Sequence, residues 1–72
     1  MDDEVRIGGE LKEEVGDGTA VIARRIGVAV WSIDIENQHG ERLPLTGEVD
    51  GFKAGRAFQH ALASRRMEIQ FL

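Results

Sequence analysis

Residues 28–36 constrain this chain more than any other stretch, because Trp31, Ile33 and Ile35 alternate with Ser32, Asp34 and Glu36. A period of two in β-branched and aromatic residues defines a strand with one buried and one wet face. Asn37-Gln38-His39-Gly40 then reads as a turn, and Leu43 and Leu45 resume the alternation around Pro44. Proline has no N–H to give to a ladder, so a strand that contains it belongs at the edge of a sheet. The expectation is an antiparallel hairpin that pairs residues 28–36 with residues 41–48.

Upstream, residues 4–15 alternate imperfectly, with Val5, Ile7, Leu11 and Val15 on one side and Gly8-Gly9 in the middle. They read as one strand with a glycine bulge, or as two short pieces. Gly16-Asp17-Gly18 supplies the positive φ of a tight hairpin connection. Residues 20–25 read as a strand, with a single helical turn as the competing assignment.

A helix is predicted over residues 51–66, after Asp50 as N-cap. Phe52, Gly55, Phe58 and Leu62, with Ala54 and Ala61 beside them, recur at spacings of three and four, which gives a stripe for packing on the sheet. Glycine inside a helix costs roughly 1 kcal/mol against alanine, so Gly55 is expected where backbone and strand come close. Met67, Ile69 and Phe71 then alternate with Glu68 and Gln70, which predicts a last strand over residues 67–72. The fold class that results is α+β. It has an antiparallel sheet of four to five short strands and one helix on one face, in the order β-β-β-β-α-β.

At 72 residues there is room for one domain, residues 1–72, and a chain this short buries only about 60% of its unfolded surface. Small scaffolds add disulfides, a metal or a partner chain to make up the difference. With no cysteine, disulfides and thiol chemistry are excluded, and two histidines cannot make a multi-His metal site within one chain. No metal and no cofactor are expected. The acidic N-terminus lacks the basic start of a signal peptide, and no apolar run approaches the roughly 18 residues of a membrane span. The expected setting is cytoplasmic and away from membranes.

The net charge of −4 is unevenly spread. Residues 1–20 hold seven acids against Arg6 and Lys12, a local −5, whereas residues 51–66 hold Lys53, Arg56, Arg65 and Arg66 and no acid. Lys53, Arg56 and His60 sit three and four apart, on one exposed side of the helix. Lys53 in the first turn opposes the helix dipole by a few tenths of a kcal/mol, which suggests that it is kept for a contact. Lys53, Arg56, His60, Arg65 and Arg66 therefore form one candidate partner-binding surface. The ordinary alternative pairs these cations with the chain's own acidic hairpin. A second candidate surface is acidic, formed by Glu10, Glu13, Glu14, Asp34 and Glu36, and could meet a protein that grips phosphates; for it the ordinary reading is solubility.

Catalysis has less to stand on. Asp34 and Glu36 share a strand face and His39 follows in the turn, but no third fixed ligand accompanies them. Gly16-Asp17-Gly18 lacks the longer glycine pattern and the Lys of a phosphate loop. Trp31, with Ile33 and Ile35 on its own face, reads as core or interface. No enzymatic role and no small-molecule substrate are expected. Association is expected instead, because one sheet face would lack a helix and Val28, Val30 and Ile22 belong to it. A homodimer, joined through residues 67–72 as an edge strand, or a complex with a target protein follows.

The stretch from Ile33 to Ala63 contains Gly40-Glu41, Gly47-Glu48 and the helix start Phe52-Lys53-Ala54. It resembles the small YegP-like sheet-and-helix domains over less than half of the chain, and the resemblance implies no activity and transfers no residue. In type, a compact acidic domain with polarised charge is similar to phage and mobile-element inhibitors of host complexes, anti-CRISPR proteins included. The leading expectation is a non-enzymatic protein-binding module that inhibits or regulates by occupying a partner's surface. Its alternative is a nucleic-acid-binding regulator, antitoxin- or repressor-like, that uses the basic helix face. Against that alternative stand the acidic total and the assignment of Phe52 and Phe58 to the buried stripe.

Overall fold

The computed structural model describes residues 5–70. Four strands, β1 (Glu10–Glu14), β2 (Ala20–Gly27), β3 (Val30–Glu36) and β4 (Arg42–Pro44), form an antiparallel meander in the order β1-β2-β3-β4. One helix, α1 (Gly51–Gln70), follows and packs on β2 and β3. The fold is α+β, as the sequence predicts.

The turn chemistry fixes the register of β1 and β2. Gly16 and Gly18 take φ of 118° and 90°, and the Asp17 carboxylate accepts from the Thr19 amide at 2.9 Å and from the Thr19 hydroxyl. These bonds close the connection and set Glu14 opposite Ala20 and Leu11 opposite Ala23. Residues 20–25 are strand, so the helical-turn alternative for them fails. Of residues 4–15 only Glu10–Glu14 form a strand: the chain turns at Ile7-Gly8, where Gly8 donates to the Arg25 carbonyl at 2.7 Å, and residue 4 lies outside the described residues.

Arg25 holds this end of the sheet together. Its guanidinium donates to the carbonyls of Val5, Gly27 and Val28 at 2.8, 3.2 and 2.7 Å and lies over the Trp31 ring, 5.8 Å from the centroid. The N-terminal approach and the β2–β3 hairpin are thereby tied by one side chain.

β4 is the edge strand that Pro44 requires, but it is shorter than the predicted 41–48. The ladder ends at Pro44 opposite Asp34. Beyond it the Ile33 carbonyl accepts from both Leu45 and Thr46, at 2.8 and 3.2 Å, and the Thr46 hydroxyl receives the Ile33 N–H at 3.0 Å. Trp31 and Val49 then exchange backbone bonds at 2.8 Å, so the free side of β3 stays satisfied without a regular strand.

Asp50 caps α1 as expected, its carboxylate accepting from Lys53 N–H at 2.8 Å and its carbonyl from Ala54 N–H at 2.9 Å. The buried stripe is Ala54, Phe58 and Ala61, with Ala57, Leu62 and Ile69 half-buried beside it. Phe52 is 73% exposed, which corrects its assignment to the core. Six residues of α-helix turn through about 240° beyond the full circle, so Phe52 and Phe58 cannot share a stripe. The two small alanines let the helix backbone lie close to the sheet.

The predicted strand after the helix is also corrected, since Met67–Gln70 continue α1. No glycine or proline separates Arg66 from Met67, and methionine, glutamate and glutamine are good helix formers. Ile69 falls eight residues after Ala61 and so reaches the core by helical spacing. Residues 71 and 72 lie outside the described residues.

The core is one layer between sheet and helix: Val15, Val21, Ala23, Trp31, Ile33, Ala54, Phe58 and Ala61. On the opposite face Ile22 has no exposed surface, although no helix covers it. Its cover is ionic.

Candidate binding surface

The open face of the sheet carries, by strand alternation, Glu10, Lys12 and Glu14 of β1, Ile22 and Arg24 of β2, Ser32, Asp34 and Glu36 of β3, and Arg42 of β4. Acids and bases interleave there. Arg42 donates through Nη1 and, at 3.0 Å, through Nη2 to the Glu10 carboxylate, and through Nε to Glu36 at 3.1 Å. Lys12 Nζ meets Glu36 at 2.8 Å, and Arg24 Nε meets Asp34 at 3.1 Å. Arg42 therefore links β4 to β1 across the whole sheet, over Ile22.

These pairings show in the titration of the groups. The hydrogen bond from Arg42 holds Glu10 below its ordinary value of 4.5, and bonds from Lys12 and then Arg42 do the same for Glu36. Lys12 is raised above 10.5, first by its hydrogen bond to Glu36, and Arg42 is raised as well, first by its bond to Glu10. Asp17 is lowered mainly by the Thr19 hydroxyl.

The predicted acidic surface is thus largely neutralised from within. Glu10, Asp34 and Glu36 are paired with the chain's own Arg42, Arg24 and Lys12, and Glu14 lies 4.0 Å from Lys12. Glu13 is on the other face, toward the helix. Among the described residues the sheet has no uncovered apolar face of the expected kind either. Ile22 is sealed under ion pairs and Val30 is half-buried, while Val28 stands 76% exposed in the β2–β3 turn.

The predicted basic surface divides into two. Lys53, Arg56 and His60 fall within about 60° of one another around the helix axis, on the side away from the sheet, and all three are exposed. Arg66 turns instead toward β1 and donates to the Glu14 carbonyl at 2.6 Å, and Arg65 is half-buried. Among the described residues none of these five side chains forms an ion pair with an acid. The ordinary alternative, pairing with the acidic hairpin, is met in part, by the bond from Arg66 to the Glu14 carbonyl and by the charge of Arg65, which helps to lower Asp17.

Between α1 and β1 runs an open groove of about 1020 Å³. Leu11 and Glu13 form its floor, and Phe52, Gly55, Arg56, Gln59, Leu62 and Arg66 form its helical wall. It exists because α1 sits over β2 and β3 and leaves the helix-facing side of β1 uncovered. The Arg56 guanidinium lies 5.9 Å from the centre of the exposed Phe52 ring.

The three groups weighed for catalysis are occupied or apart: Asp34 and Glu36 hold cations, and His39 is exposed in the turn after β3. Among the described residues no cluster of three or more His, Cys, Asp or Glu side chains could hold a metal ion. No helix of the described residues is long and apolar enough to cross a membrane. The sequence reading missed Arg24 and Arg42 as organisers and Phe52 as a surface group. Helical angle alone would have moved Phe52, whereas Arg42 reaches Glu10 across three strand spacings that no local pattern encodes. Comparison with protein-family models finds no match, and no curated protein or solved structure matches the chain significantly.

Proposed function

We propose that this chain is a non-enzymatic binding module whose exposed helix side, Lys53, Arg56 and His60 with Phe52 beside them, docks on an acidic surface of a partner protein. The observation that carries this reading is an asymmetry. Lys12, Arg24 and Arg42 on the open face of the sheet are spent on its own carboxylates, while Lys53, Arg56 and His60 on the helix side have no acid partner among the described residues. A large aromatic ring 73% exposed beside unpaired cations is an anchor of the sort that dominates protein interfaces. A domain of this size acts by occupation, so the role is that of an inhibitor or regulator that blocks or reshapes its partner sterically and electrostatically.

A second reading, a nucleic-acid-binding regulator, gains support from the same ring. An exposed aromatic next to Lys53 and Arg56 has a face on which a base can stack. Two things favour the protein reading: the net charge is −4, and the guanidinium of Arg56 already lies over the ring.

The test compares affinity purification by the wild type and by the Lys53→Glu, Arg56→Glu double variant, with and without nuclease. A partner protein that the wild type retains after nuclease, and that the variant loses, supports the protein reading. Recovery that nuclease abolishes, with a salt-steep mobility shift on DNA or RNA that Arg56→Glu weakens, replaces it with the second. Equal recovery by both chains removes the helix side from either.

A further inference from the structure

We infer that β1 is the self-pairing edge of a two-fold dimer, in which Leu11 of two copies meet on the axis and Glu10 of each lies opposite Lys12 of the other. Among the described residues the sheet has two edges. β4 is three residues long, ends in Pro44, and is followed by chain that stays bonded to β3. β1 is five residues long and has β2 as its only ladder partner.

The direction of its backbone groups follows from the bonds at its ends. Val15 donates to Thr19 at 3.0 Å and the Gly9 carbonyl accepts from Arg25 at 3.0 Å, so the bonds to β2 belong to the odd-numbered residues. Glu10 and Lys12 therefore turn their N–H and C=O groups away from the sheet. Glu14 does so too, and its carbonyl is taken by Arg66, which ends the free edge.

Charged side chains ordinarily keep an edge from pairing. Here they select a register. An antiparallel pair with Lys12 on the axis sets Lys12 against Lys12 and Glu10 against Glu14, which contains a direct like-charge contact. With Glu13 on the axis, Glu13 faces Glu13. With Leu11 on the axis, Glu10 faces Lys12, Leu11 faces Leu11, and Glu13 faces Gly9, so no like charges oppose each other. Glu-Leu-Lys is self-complementary under a two-fold, as an isologous interface requires.

Both faces gain from this register. On the open face Glu10 is already held by Arg42, and Lys12 by Glu36, so each new Glu10–Lys12 neighbour joins the two ion lattices into one. On the helix face the half-buried Leu11, floor of the groove, finds an apolar partner, and the two grooves merge between the helices. The pair at the axis is not hydrogen-bonded, which brings its Cβ atoms to the short end of about 4.5–5.5 Å. This inference does not rest on the proposed helix docking, because its contacts are those of the β1 edge, although Phe52, Arg56 and His60 line the wall of the groove that the pairing would join.

The chain has no cysteine, so a single engineered one reports on the register. Sedimentation equilibrium of the wild type should give twice the 8.0 kDa monomer mass. Leu11→Cys should link to itself under air oxidation and run as a dimer on a non-reducing gel, whereas Glu13→Cys, opposite Gly9, should remain at monomer mass. Lys12→Pro removes an outward N–H and none of the bonds to β2, so it should give a monomer with the wild-type circular dichroism spectrum. A wild type that sediments as a monomer at high concentration overturns the inference, as does cross-linking of Glu13→Cys as complete as that of Leu11→Cys. A monomer that instead takes up a foreign strand on this edge overturns it too.

Discussion

The buried and exposed members of apparently equivalent pairs separate at the level of single residues. Phe52 and Phe58 lie on one helix and both belong to a plausible apolar stripe, yet Phe58 is 6% exposed and Phe52 73%. Phe58→Ala should cost about 3–5 kcal/mol, the usual range for emptying an aromatic site in a core. Phe52→Ser should stay within about 0.5 kcal/mol, as exposed substitutions do. Urea unfolding of both variants decides the matter, and a comparable loss for the two would mean that Phe52 is packed. Asp50 is a second such position: its carboxylate satisfies the Lys53 amide, so Asp50→Ala should lower stability by about 1 kcal/mol, with the loss of helical signal tracking the global transition. Both assignments rest on spacing and capping, and so could be drawn from sequence. The Asp50 cap was, and the Phe52 position needed only the helical angle that the i, i+3 count ignores.

At the scale of elements, the open face of the sheet solves with charge a problem that other sheets solve with a second layer of helix. Ile22 is fully buried beneath Arg42, Lys12 and Arg24 and their carboxylates, whose aliphatic stems cover apolar surface while their heads remain wet. The pH dependence follows from the sign of the shifts. Glu10 and Glu36 have folded values below the ordinary 4.5, so the stability they contribute is complete above that pH and drains away as pH falls through their folded values. Lys12, shifted upward, gives stability that is present below 10.5 and lost as pH rises through its folded value. Arg42→Met keeps an aliphatic cover over Ile22 but removes the hydrogen bond that depresses Glu10. The acid limb of its stability curve should be shallower than that of the wild type below pH 4.5. Parallel curves would show that the lattice has no energetic role. Of this element-level design the sequence made the strands, their antiparallel order and the Pro44 edge legible, because alternation and turn residues are local signals. The ion lattice was not legible, since Arg42 and Glu10 stand 32 residues apart in the chain. Nor was the end of the helix, because Met67 to Gln70 satisfies a period of two and a period of 3.6 equally well over so few residues, and only the packing of Ile69 decides between them.

For the whole molecule, the distribution of burial sets which parts can open separately. The side chains with no exposed surface are Val21, Ile22, Ala23, Ile33 and Ala54, all but one of them on the two central strands. β1 and β4 are exposed along most of their length, and α1 beyond Ala61 has only half-buried contacts, with Met67 57% exposed. A chain of 72 residues has little stability to divide, about 0.05–0.15 kcal/mol per residue. The amides of Ile22, Arg24 and Asp34, bonded between β2 and β3, should therefore exchange with solvent only through global unfolding, as should that of the buried Ile33, while Met67–Gln70 open at far lower free energy. Ile33 is the sharpest case, since its N–H is held by the Thr46 hydroxyl and not by a ladder. Thr46→Val should speed exchange at Ile33 by more than it lowers global stability, whereas loss in equal measure at every central amide would mean that the bond acts only through the fold as a whole. If Leu11 sits on a dimer axis, the amides of Glu10 and Lys12 should also gain protection as protein concentration rises, and the rest of β1 should not, because in this register only those two outward N–H groups meet a strand, Glu14 falling opposite Gly8 in the turn before β1.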